Sequence, residues 1–275
     1  MGLIINPGSP NWWLSPDIWV TAAGDPSTIV AAPIAGQNYD VVVQVNNPYD
    51  QAWPGWNLYA CWVVPTAGAI AIPPDSQQLS TPPFGSPINV PALSSANFTF
   101  NWTPSFVNGG HECLIAVAYD QNIGFVGSLN GDSTTGDYSC AQHNLGVLPV
   151  GTNMSRFHYP FQVFNVADEE RELLVEVRQA PLAEIERFHR GFPAGLKLLE
   201  RPGKVEDVGI FDHADRVDSK AATPIPSCVR IAPHSGKMFA VSGKLEKGNA
   251  LLHVTQSFRG RVVGGLSVLV MAGEK

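Results

Sequence analysis

No lysine or arginine occurs before Arg156. The first 155 residues carry nine acidic side chains and no basic one, a formal charge of −9; the remainder sets 17 basic against 15 acidic residues and stands at +2. Phosphate contact needs Lys or Arg, and in the back half these are interleaved with acids, so the sequence argues against nucleic acid as a partner. Charge is scarce overall, at 15% of residues. Cysteine is scarce too. Cys61, Cys113, Cys140 and Cys228 are too few and too scattered for a disulfide scaffold, and no CxxC pair suggests zinc. They read either as reduced thiols acting as small hydrophobes, or as a Cys61–Cys113 or Cys113–Cys140 bridge between neighbouring strands.

No run reaches the roughly 18 apolar residues of a membrane span. The opening MGLIINPGSPNWW has neither the basic n-region nor the apolar h-region of a secretory signal. The expectation is a chain without a classical export signal: cytoplasmic, a mature product, or part of an assembly released by another route. Motifs of catalysis are missing as well: no HExxH, GxSxG, P-loop, or GxGxxG leading into a helix. Seven histidines, at 111, 143, 158, 189, 213, 234 and 253, include no pair at metal-ligand spacing. The reading is therefore a non-enzyme with no cofactor.

What is present is β pattern. The 26 glycines and 23 prolines fit short strands joined by turns. In Asn97 to Thr103, Phe98, Phe100 and Trp102 alternate with Asn97, Thr99, Asn101 and Thr103, the period of a strand with one wet face. After a turn at Pro104 to Gly110, Cys113, Ile115, Val117 and Tyr119 share one face of a second run, and Leu114, Ala116 and Ala118 take the other. Apolar on both sides, that strand is expected to be central. Tyr39 to Asn46 places Tyr39, Val41, Val43 and Val45 on one face against Asp40, Gln44 and Asn46, and stops at Asn47-Pro48. Leu58 to Val64 is another two-sided apolar strand, and Cys140 to Val150 reads as the strand that closes the first domain. Gly24 to Gly36 reads as loop, and Pro65 to Pro91 as loop with one or two short edge strands.

About seven strands within 150 residues meet the requirement of an immunoglobulin-like sandwich. The stretches SPDIWV at 15 to 20, VVVQVNNP at 41 to 48, CWVV at 61 to 64, FTFNWTP at 98 to 104, HECLIAVAYD at 111 to 120 and CAQHNL at 140 to 145 resemble the bacterial immunoglobulin-like modules of the CARDB (cell adhesion related) group. The resemblance covers residues 12 to 150 and rests mostly on core and turn positions. It implies an accessory, adhesive or structural sandwich and carries over no catalytic residue.

The composition break near 150 to 160, with all seven tryptophans in front of it, predicts two domains: an acidic, Trp-rich sandwich over 1–155 and a smaller one over 156–275. In the second, strands are expected at Tyr159 to Asn165, Glu172 to Arg178, Cys228 to Ile231, Lys237 to Ser242, Ala250 to Ser257 and Val262 to Met271. A short helix is expected over 181–190, entered at Pro181 and left at Gly191. Residues 195 to 226 read as long polar loop with a strand near 196 to 199. The final two strands form a hairpin, and Gly264-Gly265 predicts a bulge or a close backbone approach. The fold class is thus all-β, two tandem immunoglobulin-like sandwiches with one short helix in the second.

Sites of chemistry are weak. Asp212, His213 and Asp215 read as a solvated loop in preference to a metal site or an unrecognised active site. Asp132 and Asp137 in the 130–137 loop offer oxygen ligands to calcium, but the spacing fails the EF-hand pattern and a plain hairpin loop is preferred. Cys140 and His143 fall on opposite faces of a strand and make no nucleophile–base pair. Sequons at Asn97, Asn101 and Asn153 read as incidental.

Interaction candidates lie in the front. Leu3, Ile4 and Ile5 form an apolar segment able to add a strand to a neighbour's open edge. Trp12, Trp13, Trp53 and Trp56 flank turns, where rings either plug the sandwich ends or lie exposed to fill a neighbour's pocket or stack on sugars. The expectation is a non-catalytic structural or adhesive subunit, its partner a protein (itself or a neighbouring subunit), with a carbohydrate-binding module as the alternative. Neither nucleic acid nor a membrane span belongs to that reading.

Overall fold

A computed structural model describes residues 2–8, 11–30, 33–63, 70–71, 77–79, 85–105, 113–122, 128–129, 134–135, 138–151, 155–184, 202–212 and 227–272. The chain is almost entirely β. In order, the front strands are β1 (Ile18–Ala22), β2 (Asp25–Ile29), β3 (Tyr39–Asn47), β4 (Trp56–Val63), β5 (Ile70–Ala71), β6 (Gln77–Gln78), β7 (Ser86–Ile88), β8 (Ser94–Trp102), β9 (Cys113–Asp120), β10 (Ser128–Leu129), β11 (Thr134–Thr135) and β12 (Tyr138–His143). The back strands are β13 (Leu145–Val150), β14 (Ser155–Asn165), β15 (Arg171–Ala180), β16 (Val205–Asp212), β17 (Ser227–Ile231), β18 (Ser235–Leu245), β19 (Asn249–Phe258) and β20 (Arg261–Ala272).

Two sheets form the front. One runs β2-β1-β3-β8; the other runs β11-β12-β9-β4-β6 with β7 also on β4, and β10 pairs with β5 apart from both. Their facing sides enclose an apolar cluster that takes Val41, Val43 and Val45 from β3, Leu58 from β4, and Leu114, Ala116 and Ala118 from β9. The period of two put these residues on one face, and burial removes each from water at about 1.5–3 kcal/mol for a valine or leucine. β9 lies between β12 and β4 and is buried on both faces, as its two-sided apolar run predicts. Its other face packs Cys113, Ile115, Val117 and Tyr119 with Tyr59, Cys61 and Val63. All four cysteines are free thiols, Cys61 and Cys113 buried, Cys140 half-buried and Cys228 exposed, so the bridges expected as an alternative are not formed.

The back holds a five-stranded sheet, β13-β20-β19-β15-β17, over a three-stranded one, β14-β18-β16. A second apolar cluster lies between them, with Phe157, Tyr159, Phe161 and Val163 of β14 facing Leu252 and Val254 of β19 and Leu266, Val268 and Val270 of β20. The terminal hairpin turns at Arg259-Gly260, both at positive φ (50° and 76°), as a tight two-residue turn requires. Its register slips by one residue at Gln256/Ser257, where Gln256 faces Gly264 and Ser257 faces Val262. This is the bulge that the paired glycines predict.

Three assignments change. The stretch 140–150 is not one strand: it breaks at Asn144, β12 staying in the front while β13 runs parallel to β20 in the back sheet. Residues 25–29 are a strand, not loop; Pro26 suits it to the sheet edge. Residues 205–212 are a strand as well, paired with β18, and a bulge between Glu206 and Gly209, with Asp207 at φ 53°, breaks the alternation that would have revealed it. Of the expected helix, residues 183 and 184 are helical; 185–190 lie outside the described residues, as do 196–199.

Candidate functional site

Between the two clusters lies a third, small one: Trp13, Leu14, Ala180, Leu182, Leu251 and Leu269, with Trp12, Val147 and Met271 against it. It joins the N-terminal segment to the back sheet. The chain turns at Asn11–Leu14, closed by Leu14 N–H donating to Asn11 O (2.9 Å), and aims the Trp13 ring at the back hairpin. Gly265 makes room for it. A Cβ on Gly265 would stand 2.4 Å from the indole, so this glycine is the close approach its sequence context predicts. Asn144 ties the same places together: its N–H donates to Trp13 O, its Nδ2 to Gly265 O, and its carbonyl accepts from Ser267 N–H, each at 2.9 Å.

Inside this joint, five polar side chains form a chain of hydrogen bonds. Trp13 Nε1–H donates to Ser267 Oγ (2.9 Å), and Ser267 Oγ lies 2.7 Å from His253 Nδ1. His253 Nε2 is 2.9 Å from Glu184 Oε2, which also accepts from Asn11 Nδ2 (2.9 Å), while Arg178 reaches Glu184 Oε1 at 3.6 Å. One proton arrangement satisfies the chain: Ser267 Oγ–H donates a hydrogen bond to Nδ1, and Nε2–H donates one to the carboxylate. Burial holds the His253 pKa below its ordinary value against the opposing hydrogen bond to Glu184, so the ring is neutral. For Glu184 burial alone would raise the pKa, but hydrogen bonds from His253 and Asn11 outweigh it and keep the carboxyl ionised.

The order serine, imidazole, carboxylate is that of a nucleophile relay. Here it is sealed. Ser267 and His253 are 0% exposed, Trp13 only 3%, and the serine oxygen is capped by the indole N–H. The work such a network does in this position is to hold Trp13 in register with the back sheet, because each buried polar atom would cost about 1–3 kcal/mol if unmatched. Sequence spacing hid it, since the residues stand at 11, 13, 184, 253 and 267. The available signal was a histidine and a serine, each alone in an apolar run, at positions the bulged hairpin sets opposite each other.

The interaction candidates are distributed otherwise than expected. Leu3 (1% exposed) and Ile5 (0%) lie in the front core, and Ile4 makes a backbone bridge to Asn46 with bonds of 2.8 Å in both directions. Ile5 N–H donates to Ser139 Oγ, and Asn6 N–H to Asp17 Oδ2, both at 2.9 Å. The segment is thus seated on this chain's own sandwich through an isolated bridge to β3 and the side chains of Ser139 and Asp17. Trp13 and Trp56 are buried, the first of the two alternatives the sequence leaves open: Trp56 lies in the front core and Trp13 in the small cluster of the joint. Trp12 and Trp53 are half-buried; Trp12 stands edge-on to Trp13, and Trp53 edge-on to Tyr49. His213, Asp215, Asp132 and Asp137 lie outside the described residues. Among the described residues no group of three or more His, Cys, Asp or Glu can hold a metal ion, and no helix is long and apolar enough to cross a membrane.

The fold defines an all-β protein of packed, mostly antiparallel sheets with a sealed polar joint. No family model matches the chain, and no curated protein does. Among solved structures it is similar to a red sea bream transglutaminase (12% identity, TM-score 0.27), covering 94% of this chain but 31% of that one, so it spans about a third of that enzyme's length. It is also similar to the CupB6 tip adhesin of Pseudomonas aeruginosa (8% identity, TM-score 0.25, covering 100% of this chain and 97% of the adhesin). A third is the serine-rich repeat adhesion glycoprotein Srr1 of Streptococcus agalactiae (9% identity, TM-score 0.23, covering 94% and 98%). Superpositions this loose carry no argument about activity or ligand.

Proposed function

We propose that the chain is a non-catalytic structural or adhesive interaction protein, built as two tandem sandwich units that divide at Asn144, with β13 belonging to the second. Its partner is a protein, either a copy of itself or a neighbouring subunit of a bacterial or phage-derived assembly. One observation carries the reading: the serine–histidine–glutamate cluster, the only nucleophile relay among the described residues, is enclosed and joins the front of the chain to the back. The CARDB-like pattern over 12–150 points the same way. A fluorophosphonate probe on the full-length chain tests it: Ser267 is expected to stay unlabelled, and labelling that disappears in Ser267→Ala would overturn the non-catalytic reading.

A glycan-binding role is the second reading. It is favoured by Trp53, which is half-buried beside Tyr49 and whose buried indole N–H has no hydrogen-bond partner among the described residues. Titrating tryptophan fluorescence with a glycan panel separates the two, because a saturable change lost in Trp53→Ala is expected only of a lectin.

A further inference from the structure

A sheet edge is a row of unpaired backbone donors and acceptors, and proteins normally blunt it with charge, proline, a bulge or short length. Among the described residues the sheet edges follow that rule with one exception. β2 carries Asp25 and Pro26; β13 carries Pro149; β14 carries Arg156 and Pro160; β16 is bulged and bears Glu206 and Asp207; β17 is five residues long with an exposed arginine; β6 and β11 are two residues each. β8 is nine residues, SSANFTFNW, with no charge, proline or bulge, and among the described residues it pairs with β3 alone.

The core is also unfinished there. On β3 the inward residues Val41, Val43 and Val45 are at most 1% exposed, whereas Phe98 and Phe100, inward-facing on β8, remain half-buried. From Asn97 to Asn101, an edge that no described strand other than β3 pairs with and two half-buried phenylalanines therefore coincide.

The sequence of the edge says what fits it. Asn97-Phe98-Thr99-Phe100-Asn101 reads the same in both directions. In an antiparallel pair, directly opposed residues share a face, so only a segment symmetric about its centre can match itself residue for residue. We propose that β8 is a homotypic docking edge, at which a second copy of this chain adds its own β8 antiparallel about a twofold axis through Thr99. Phe98 then meets the partner's Phe100 on the core side. Asn97 meets the partner's Asn101 on the wet side, Thr99 meets its own counterpart, and the four-stranded sheet continues across the axis. The contact is isologous, so it closes as a dimer. No charged side chain stands on β8, so a chain of net charge −7 meets no like-charge pair within this seam.

The inference rests on the interaction reading above and names its surface. Thr99 is exposed, so a charge there leaves the fold intact and places two like charges face to face at the axis. The experiment measures the mass of the full-length chain by light scattering over a concentration series. It compares wild type, Thr99→Lys, Thr99→Glu and an equimolar mixture of the two variants, with thermal midpoints as the control for folding. Expected are a rise of the wild type from monomer to dimer mass, monomers for each variant alone, and return of the dimer in the mixture, where lysine opposes glutamate. Variants that dimerise like wild type, or a mixture that stays monomeric, would overturn the β8 axis while leaving self-association standing. A wild type that stays monomeric yet binds a purified foreign protein would overturn the inference and spare the interaction reading.

Discussion

Gly265 and Trp13 are the residue pair on which the joint between front and back depends. With a Cβ at 2.4 Å from the ring, Gly265→Ala must displace an indole that is itself hydrogen-bonded through Nε1. Overpacking of this kind costs about 1–3 kcal/mol, and a urea midpoint shifted down without change in slope is the expected result. The histidines respond to acid. His143, half-buried, with its Nδ1 3.4 Å from the Ser15 carbonyl, has its pKa held down to about 4 by burial. His253 is shifted the same way for the same reason. Because the unfolded chain takes up its protons near pH 6.5 while the folded one resists, stability is full above that pH and is lost on acidification. For His143 the loss accumulates between about pH 6.5 and 4 and reaches the order of 2–3 kcal/mol. Glu184, whose carboxyl is lowered, adds a further loss below its ordinary pKa near 4.5. Unfolding free energy measured from pH 8 to 4 is expected to be flat and then fall, with a shallower fall in His143→Gln.

At the scale of elements, what could be read from the chain was what local period controls. β3, β8 and β9 announce themselves by alternation or by two-sided apolarity, and the observed pairing of Val43 with Phe98 keeps both on the inward face that the alternation assigns them. β16 stays hidden because its bulge destroys the period, and β12 and β13 read as one strand because nothing local marks Asn144 as the place where the chain changes sheets. The polar joint is hidden for a different reason: its members meet only after β15, β19 and β20 are paired, so no window of sequence contains it. The N-terminal segment shows the limit of composition. Leu3, Ile4 and Ile5 look like a strand offered to a neighbour, but Asn46, Ser139 and Asp17 supply it with backbone partners inside this chain. Removing residues 1–8 withdraws two fully buried side chains at about 2–5 kcal/mol each. A large drop in thermal midpoint is expected, and truncation without destabilisation would show the segment to be held elsewhere.

For the whole molecule, the question is whether the front and back clusters melt together. Each has its own sheets and its own apolar interior, and left alone each would unfold in its own transition. Among the described residues, the contacts that couple them are buried: Trp13 against Gly265, Leu14 clustered with Leu251 and Leu269, and the hydrogen-bonded run from Asn11 to Ser267. Deleting a buried tryptophan costs about 3–5 kcal/mol, and here it would leave Ser267 without a donor and open His253 to water, so the penalty falls on the coupling and not on either cluster. Calorimetry of the wild type is expected to give one transition whose calorimetric and van't Hoff enthalpies agree. Trp13→Ala is expected to split it into two, with the total enthalpy little changed. If the variant instead melts in one transition at lower temperature, the two clusters are coupled through β13, which leaves the front at Asn144 and enters the back sheet beside β20, and the joint around His253 serves only to seat the N-terminal segment.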